Sequence, residues 1–123
     1  MGIHSFRKRT PNDLPPVDVR FTELRIEPWP DGQRVRVHVD MTPFQQNPNL
    51  EASIFDSAGQ EAAHTLIVET SEHRIVFTMH LRGQAGGPYH ITAALSYPEV
   101  GIVDSRSISF ESQPASPREN APE

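Results

Sequence analysis

Histidines are the side chains best suited to chemistry in this sequence, which carries six of them and no cysteine. His38 and His80 both fall at outward positions of predicted strands, and Asp40 shares that face. Two imidazoles and a carboxylate bind zinc or copper when they converge. Four arginines flank the two histidines and would repel a cation; they are Arg34, Arg36, Arg74 and Arg82. We therefore expect a solvated face and no metal at this position.

Motifs for catalysis or cofactor binding are absent from the sequence. It contains no Gly-rich phosphate loop, no Gly-x-Ser-x-Gly elbow, no His-Glu-x-x-His motif and no EF-hand loop. Ser, His and Asp are abundant, so some trio is always available, but nothing marks one serine as lying on the strained turn that holds a nucleophile. We expect no enzymatic activity and no cofactor.

Charge is divided unevenly along the chain. Residues 17–111 contain thirteen acids and seven arginines, a net charge of −6, whereas residues 1–16 have a net charge of +2. An acidic body argues against nucleic acid as the main ligand. The run Arg7-Lys8-Arg9 is short and gives only weak, salt-sensitive attraction to anionic surfaces. No window is apolar enough to span a membrane, so we expect neither a nucleic acid nor a membrane partner.

Cysteine usage and the N-terminus bear on the cellular compartment. Without cysteine there is no disulfide and no sign of an oxidising environment. The N-terminus has no apolar stretch long enough for a signal peptide. A cytoplasmic protein is the default expectation, although a segment of a longer exported chain would look the same.

Both ends of the chain are predicted to be disordered tails. Residues 1–16 and 112–123 hold six of the twelve prolines and almost nothing that could join a core. Residues 17–111 remain as the folded domain, and their number is close to the ~100 residues of a single β-sandwich.

The folded part alternates apolar and polar residues with a period of two. Arg34–Met41 is the clearest case, and residues 73–81 and 89–97 repeat the pattern. Such half-buried strands belong to antiparallel sheets with one solvated face. Residues 62–69 fit either a short helix or a strand, and we predict a strand.

Turn signals separate seven such runs, and their spacing predicts an all-β antiparallel sandwich, with a small barrel as the alternative.

The last run, residues 102–110, raises a question of register. Ile108 and Phe110 can face inward only together with Asp104 and Arg106, unless a bulge near residue 105 resets the register. Without that bulge, Ile108 and Phe110 could instead face outward and extend the surface around Phe55.

One corner of the predicted sandwich carries a resemblance to a known superfamily. Residues 78–82 and 87–93 resemble the E–F corner of immunoglobulin-like and fibronectin-type-III-like domains, where a Gly-containing turn leads to a Tyr that opens strand F. Residues 50–61 also look like strand C and its turn in bacterial members. The resemblance implies an immunoglobulin-like β-sandwich in which Tyr89 is buried and its hydroxyl group bonds to backbone near residues 83–87. The chain departs from antibody domains, since it has no cysteine pair and Trp29 ends the first strand.

The two outer faces of the predicted sandwich differ in charge. One face belongs to the first, second and fifth predicted strands, about residues 21–29, 34–41 and 73–81, which correspond to strands A, B and E of an immunoglobulin-like domain. It carries a dense mixture of acids and arginines. The face of strands C, F and G is small and nearly uncharged around one aromatic, Phe55; its other members are Ser53, His90, Thr92, Ala94 and Ser96. Depletion of charge around an aromatic is typical of an interface core. We therefore predict an interface on this C-F-G face.

Three functions are compatible with these features, because the fold hosts many unrelated activities. The leading hypothesis is a non-catalytic protein-binding or assembly module whose C-F-G face binds a protein partner or a second copy. The alternative is a small-ligand or glycan-binding module built from the loops near Trp29 and Tyr97. A metal-binding protein or an enzyme comes third. The indole of Trp29 is expected to plug the end of the sandwich.

Overall fold

The computed structural model describes residues 12–82 and 87–112. These residues form seven β-strands and one turn of 3-10 helix at Pro16–Asp18. In chain order the strands are β1 (Phe21–Pro28), β2 (Arg34–Met41), β3 (Asn49–Asp56), β4 (Glu61–Ile67), β5 (Arg74–His80), β6 (Gly87–Tyr97) and β7 (Gly101–Ser112). No helix in this part of the chain is long and apolar enough to cross a membrane.

The strands form two antiparallel sheets. The three-stranded sheet has the order β1-β2-β5, and the four-stranded sheet has the order β4-β3-β6-β7. The prediction of an all-β antiparallel sandwich of about seven strands is confirmed. Residues 62–69 fitted either a helix or a strand in the sequence. Their first part, residues 62–67, lies in β4, as the strand prediction requires.

The core lies between the two sheets and follows from the alternation of the strands. On β2, Val35, Val37 and Val39 are completely buried, while the residues between them face outward. The opposite sheet contributes Leu50, Ala52, Ile54, Ile91, Ala93 and Leu95. Aliphatic and β-branched side chains suit a pleated, half-buried surface, and a side-chain period of two sends every second residue to the outer face.

Charged side chains of β7 close the sandwich along one edge. The carboxylate of Asp104 accepts a 2.8 Å hydrogen bond from the main-chain N–H of Phe21, and the guanidinium of Arg106 donates one of 2.9 Å to the main-chain carbonyl of Phe21. Phe21 begins β1, an edge strand whose free backbone groups need partners. The two side chains therefore take the place of a neighbouring strand.

These contacts also explain the register of β7. Ile108 and Phe110 both pack against the core, and Asp104 and Arg106 share their side of the strand. The register shift of this strand pair falls at Val103, before Asp104, so it does not separate Asp104 and Arg106 from Ile108 and Phe110. The conditional expectation that Ile108 and Phe110 face outward without a bulge there is therefore wrong. The inward charges are tolerated because their polar atoms bond to the backbone of β1.

The packed part of the chain extends past residues 17–111 at both ends. Leu14 forms a parallel bridge with Phe44. Ser112 is buried, and its hydroxyl group donates a 3.1 Å hydrogen bond to the carbonyl of Gly32. Residues 1–11 and 113–123 of the predicted tails lie outside the described residues.

Candidate functional site

The predicted interface residues lie together on the outer face of the four-stranded sheet. Phe55 on β3 pairs with His90 on β6, and Ser53 pairs with Thr92. Ala94 occupies the next outward position of β6. The rings of Phe55 and His90 stack with their centroids 5.2 Å apart and their planes inclined by 24°. The structure thus brings all five residues onto one surface, and the use of that surface as an interface stays a prediction.

The outer strands β4 and β7 add residues to this face that the sequence analysis does not assign. Ser107 on β7 faces outward, and its hydroxyl oxygen lies 2.9 Å from that of Thr92. Leu66 on β4 and Ile102 on β7 are 53% and 69% exposed. Both stand in short apolar runs, residues 66–68 and 102–103, so alternation in the sequence does not say which of them face outward. Their place on this face depends on which strands pair, which the local pattern does not state.

A second candidate site lies at one end of the sandwich, where three loops line an open concavity of about 340 Å³. The walls come from the β2–β3 loop, the segment after β4 and the β6–β7 turn. The lining residues are Gln45, Gln46, Asn47, Glu69, Tyr97, Pro98 and Glu99. Three amides and two carboxylates give this concavity both donors and acceptors of hydrogen bonds. The arrangement suits a small polar ligand.

Two hydrogen bonds hold the walls of this cavity. The hydroxyl group of buried Tyr97 donates a 2.8 Å bond to the main-chain carbonyl of Gln46. The main-chain N–H of Glu69 donates a 2.9 Å bond to Oδ1 of Asn49. Glu69 has a φ of 52°, a left-handed conformation that is uncommon outside glycine. Such residues persist only where the surrounding structure imposes them, and they cluster at functional sites.

Trp29 lies at the opposite end of the sandwich from Tyr97. It belongs to the turn between β1 and β2, whereas Tyr97 ends β6 beside the β2–β3 loop. The indole ring is covered by the guanidinium groups of Arg34 and Arg36, which lie 4.0 and 5.4 Å from its centroid. These cation–π contacts hold the ring among outward-facing side chains. The expectations that Trp29 plugs the end of the sandwich and shares a loop site with Tyr97 are therefore wrong, since the half-buried ring is not part of the core cluster.

The two strand histidines do not converge. His38 on β2 pairs with Val76 on β5, whereas His80 pairs with Arg34. Four residues along a strand separate the two positions by about 13 Å. His38 instead lies 3.2 Å from a carboxylate oxygen of Glu27. Within residues 12–82 and 87–112 no group of three or more His, Cys, Asp or Glu side chains is arranged to hold a metal ion.

Tyr89 is buried, with 4% of its surface exposed, and its ring stacks on that of Phe110 at a centroid distance of 5.6 Å. Burial, together with the negative charge of Asp56, raises the pKa of Tyr89 above its usual value of 10.0. The expected bond from its hydroxyl group to backbone near residues 83–87 falls largely outside the described residues and stays a prediction. A cavity of about 240 Å³ opens beside Tyr89 and His90.

A scan against protein-family models and a search of curated proteins both found no match. Solved structures do match. A family 76 glycoside hydrolase from a bovine Bacteroides thetaiotaomicron strain has a TM-score of 0.61 and 14% identity, covering 76% of this chain and 20% of that one. Bifidobacterium dentium β-glucuronidase has a TM-score of 0.58 and 16% identity, covering 82% and 18%. A glycosyl hydrolase family 2 member from Bacteroides cellulosilyticus has a TM-score of 0.54 and 14% identity, covering 75% and 15%.

The likeness to these three enzymes concerns the fold alone, because the identities are low. This chain spans a fifth or less of the length of each of them. They support the β-sandwich architecture, whereas the function has to be inferred from the site.

Proposed function

We propose that this domain is a non-catalytic β-sandwich module that binds a glycan, or a similar polyhydroxylated ligand, in the loop cavity beside Tyr97. The observation that carries the proposal is the set of amide and carboxylate side chains around a concavity of about 340 Å³. Sugar hydroxyl groups both donate and accept hydrogen bonds, and amides and carboxylates match them. The volume lies within the ~300–1,000 Å³ typical of small-molecule sites.

The rigidity of the cavity supports the same proposal. Tyr97 anchors one wall to the core through the Gln46 carbonyl, and Asn49 holds the strained backbone of Glu69. A wall that is already ordered loses little conformational entropy when a ligand binds. The site would therefore bind without a large rearrangement.

The class of ligand is suggested by the structural neighbours, which are named as glycoside hydrolases and a β-glucuronidase. This chain corresponds to a minor part of each, in keeping with an accessory domain.

Within the β-sandwich class we propose membership of the immunoglobulin-like superfamily. The separation of β1-β2-β5 from β4-β3-β6-β7 and the position of Tyr89 at the start of β6 support that assignment.

The absence of catalysis is part of the proposal. A glycosidase needs one carboxylic acid kept protonated by a buried, apolar surrounding, next to a second carboxylate. Glu69 and Glu99 line the cavity, but both are exposed to solvent.

The negative charges of Glu69 and Glu99 also predict which sugars bind, because an anionic sugar would be repelled. We expect neutral sugars to bind better than uronic acids.

A titration of the domain with neutral oligosaccharides and with glucuronate, followed through its amide resonances, tests the proposal. Shifts are expected at residues 45–47, 69 and 99, at lower concentrations of the neutral sugars. Asn47→Ala should weaken binding about two- to ten-fold, the usual effect of one lost hydrogen bond. Gln60→Ala removes an exposed amide from the far end and serves as the matched control. No shift with any sugar, or equal losses in both variants, would contradict the proposal.

A second candidate function is the protein-binding module predicted from the sequence. The stacked pair of Phe55 and His90 favours it, together with the exposed Leu66 and Ile102 on the same face. None of these four residues lines the loop cavity, so the two functions are compatible in one domain.

A further inference from the structure

A small open concavity of about 240 Å³ lies at the end of the four-stranded sheet opposite the loop cavity. Its walls come from the β3–β4 turn, the start of β6 and the facing part of β7. The lining side chains are those of Asp56, Ser57, Pro88, Tyr89, His90 and Ser109. The volume is below the ~300–1,000 Å³ of sites for drug-sized molecules, so this small concavity suits a compact ligand.

The register of three strands fixes the walls of the small concavity. Asp56 is the cross-strand partner of Tyr89, and Phe55 is the partner of His90. On β7 the partner of His90 is Ser109. The phenyl ring of Phe55 stacks on the imidazole of His90 at a centroid distance of 5.2 Å. One wall is therefore a flat ring that is already held in place, and ordering it on binding costs little entropy.

The carboxylate of Asp56 has one oxygen engaged and one available. Oδ1 accepts 2.9 Å hydrogen bonds from the main-chain N–H groups of Ala58 and Gln60, which close the β3–β4 turn. In the part of the chain that the structure describes, Oδ2 has no hydrogen-bond partner, and no Lys, Arg or His side chain forms an ion pair with this carboxylate. An asparagine would cap the turn through the same Oδ1. The fold therefore does not require the negative charge at this position.

The negative charge of Asp56 acts on its surroundings in the small concavity. Burial is the larger cause of the raised pKa of Tyr89, and the charge of Asp56 raises that pKa further. Glu111, the cross-strand partner of Pro88, adds a second carboxylate next to a lining residue. Two uncompensated negative charges repel an anionic ligand and attract a cationic one.

An ammonium group matches the acceptors of the small concavity. It has three N–H donors and no acceptor, and the lining offers the carboxylate of Asp56 and the hydroxyl oxygens of Ser57 and Ser109. The rings of Pro88 and His90 suit a flat apolar group attached to the ammonium. Hydrogen bonds between charged groups are about twice as strong as those between neutral groups. A protonated amine should therefore bind better than an alcohol of the same shape.

We propose that the small concavity binds a compact protonated amine with a flat apolar ring, held by the carboxylate of Asp56. This concavity shares no lining residue with the loop cavity, so the inference does not rest on the proposed glycan function. A ligand of so few atoms should bind with a dissociation constant of about 1 mM.

Three probes of similar size and different charge test the proposal on the wild-type chain: benzylamine, benzyl alcohol and benzoate at pH 7. Benzylamine should give saturable shifts in the amide resonances of residues 56–57, 59, 89–90 and 109. Benzyl alcohol should bind about ten-fold more weakly, and benzoate should not bind. The resonances of residues 45–47, 69 and 99, which line the loop cavity, should not move with any of the three. Equal affinity for benzyl alcohol and benzylamine, or shifts that never saturate, would overturn the proposal.

Asp56→Asn is the decisive variant, because it keeps Oδ1 for the turn and removes only the charge. Its affinity for benzylamine should fall about ten-fold, while its affinity for benzyl alcohol should stay the same. Glu51→Gln is the matched control, since it removes the same charge from the same strand at a distance of about 17 Å and does not line the small concavity. Both variants should keep the melting temperature of the wild type. Undiminished binding of benzylamine by Asp56→Asn, or an equal loss in Glu51→Gln, would overturn the assignment to Asp56.

Discussion

The hydroxyl group of Tyr97 donates a 2.8 Å hydrogen bond to the main-chain carbonyl of Gln46, fifty-one residues earlier in the chain. The bond joins the end of β6 to the β2–β3 loop, and both residues line the loop cavity. Buried tyrosine hydroxyl groups usually find a partner. Here the partner is a loop carbonyl, so the position of the loop depends on a residue of the core.

Replacing Tyr97 by Phe removes this bond and leaves the Gln46 carbonyl without its donor. The free energy of unfolding should fall by about 1–2 kcal/mol, measured by urea denaturation. Affinity for a neutral oligosaccharide should fall as well, because the loop wall is no longer held. Gln46→Ala is the control for stability alone, since it keeps the carbonyl group that accepts the bond but removes an amide of the cavity. Equal stability of Tyr97→Phe and the wild type would show that the bond does not hold the loop.

The side-chain hydrogen bonds from β7 to the backbone of β1 give a second prediction. Asp104→Ala removes the acceptor of the Phe21 N–H and should lower the free energy of unfolding by about 2 kcal/mol, the scale of a hydrogen bond to a charged group. Exchange of the Phe21 amide hydrogen with solvent should become faster than in the wild type. Ser109→Ala, an outward change on the same strand, should alter neither quantity. Unchanged exchange at Phe21 in Asp104→Ala would mean that the carboxylate does not protect it.

A third prediction concerns acid pH. The main-chain N–H of Gln33 donates a 2.9 Å hydrogen bond to Asp31. This bond is the main cause of a pKa of Asp31 below its ordinary value of 3.8, and the side chain of Arg34 lowers it further. A lowered folded-state pKa gives a contribution to stability that is present above pH 3.8 and is lost as the pH falls through the folded-state pKa.

The single tryptophan reports this titration, because Arg34 bonds to Asp31 and also covers the ring of Trp29. Protonation of Asp31 should loosen Arg34 and change the fluorescence of Trp29, with a midpoint below pH 3.8. Asp31→Asn should lack this transition. A midpoint above pH 3.8, or the same transition in Asp31→Asn, would exclude Asp31 as its origin.

The strands of this protein could be predicted from the sequence because their side chains repeat with the period of a pleated sheet. The same parity predicted that Phe55 faces away from Ile54, on the side of the sheet that carries His90. That the two rings are neighbours follows from the pairing of β3 with β6. The alternation of side chains along one strand does not tell which residues of other strands and loops lie beside its ends or edges. For that reason the cavity beside Tyr97 and the inward bonds of Asp104 were not predicted.

The position of Trp29 was predicted wrongly for a related physical reason. A tryptophan between two prolines at a strand end was expected to plug the end of the sandwich. Two arginines on the next strand provide an alternative surface for the ring, and their guanidinium groups remain solvated while they cover it. Only the register between β1 and β2 reveals that these side chains are adjacent.

The last prediction compares two neighbouring residues on opposite faces of β3. Ile54 is completely buried in the core, whereas Phe55 is half-buried and stacks on His90 on the outer face. Ile54→Ala should lower the free energy of unfolding by about 2–5 kcal/mol through loss of burial and a cavity. Phe55→Ala should cost about 0.5–1.5 kcal/mol, the scale of one aromatic pair, while weakening self-association. Thermal melts beside sedimentation equilibrium separate these effects, and a Phe55→Ala domain that unfolds as easily as Ile54→Ala would make Phe55 a core residue rather than an interface residue.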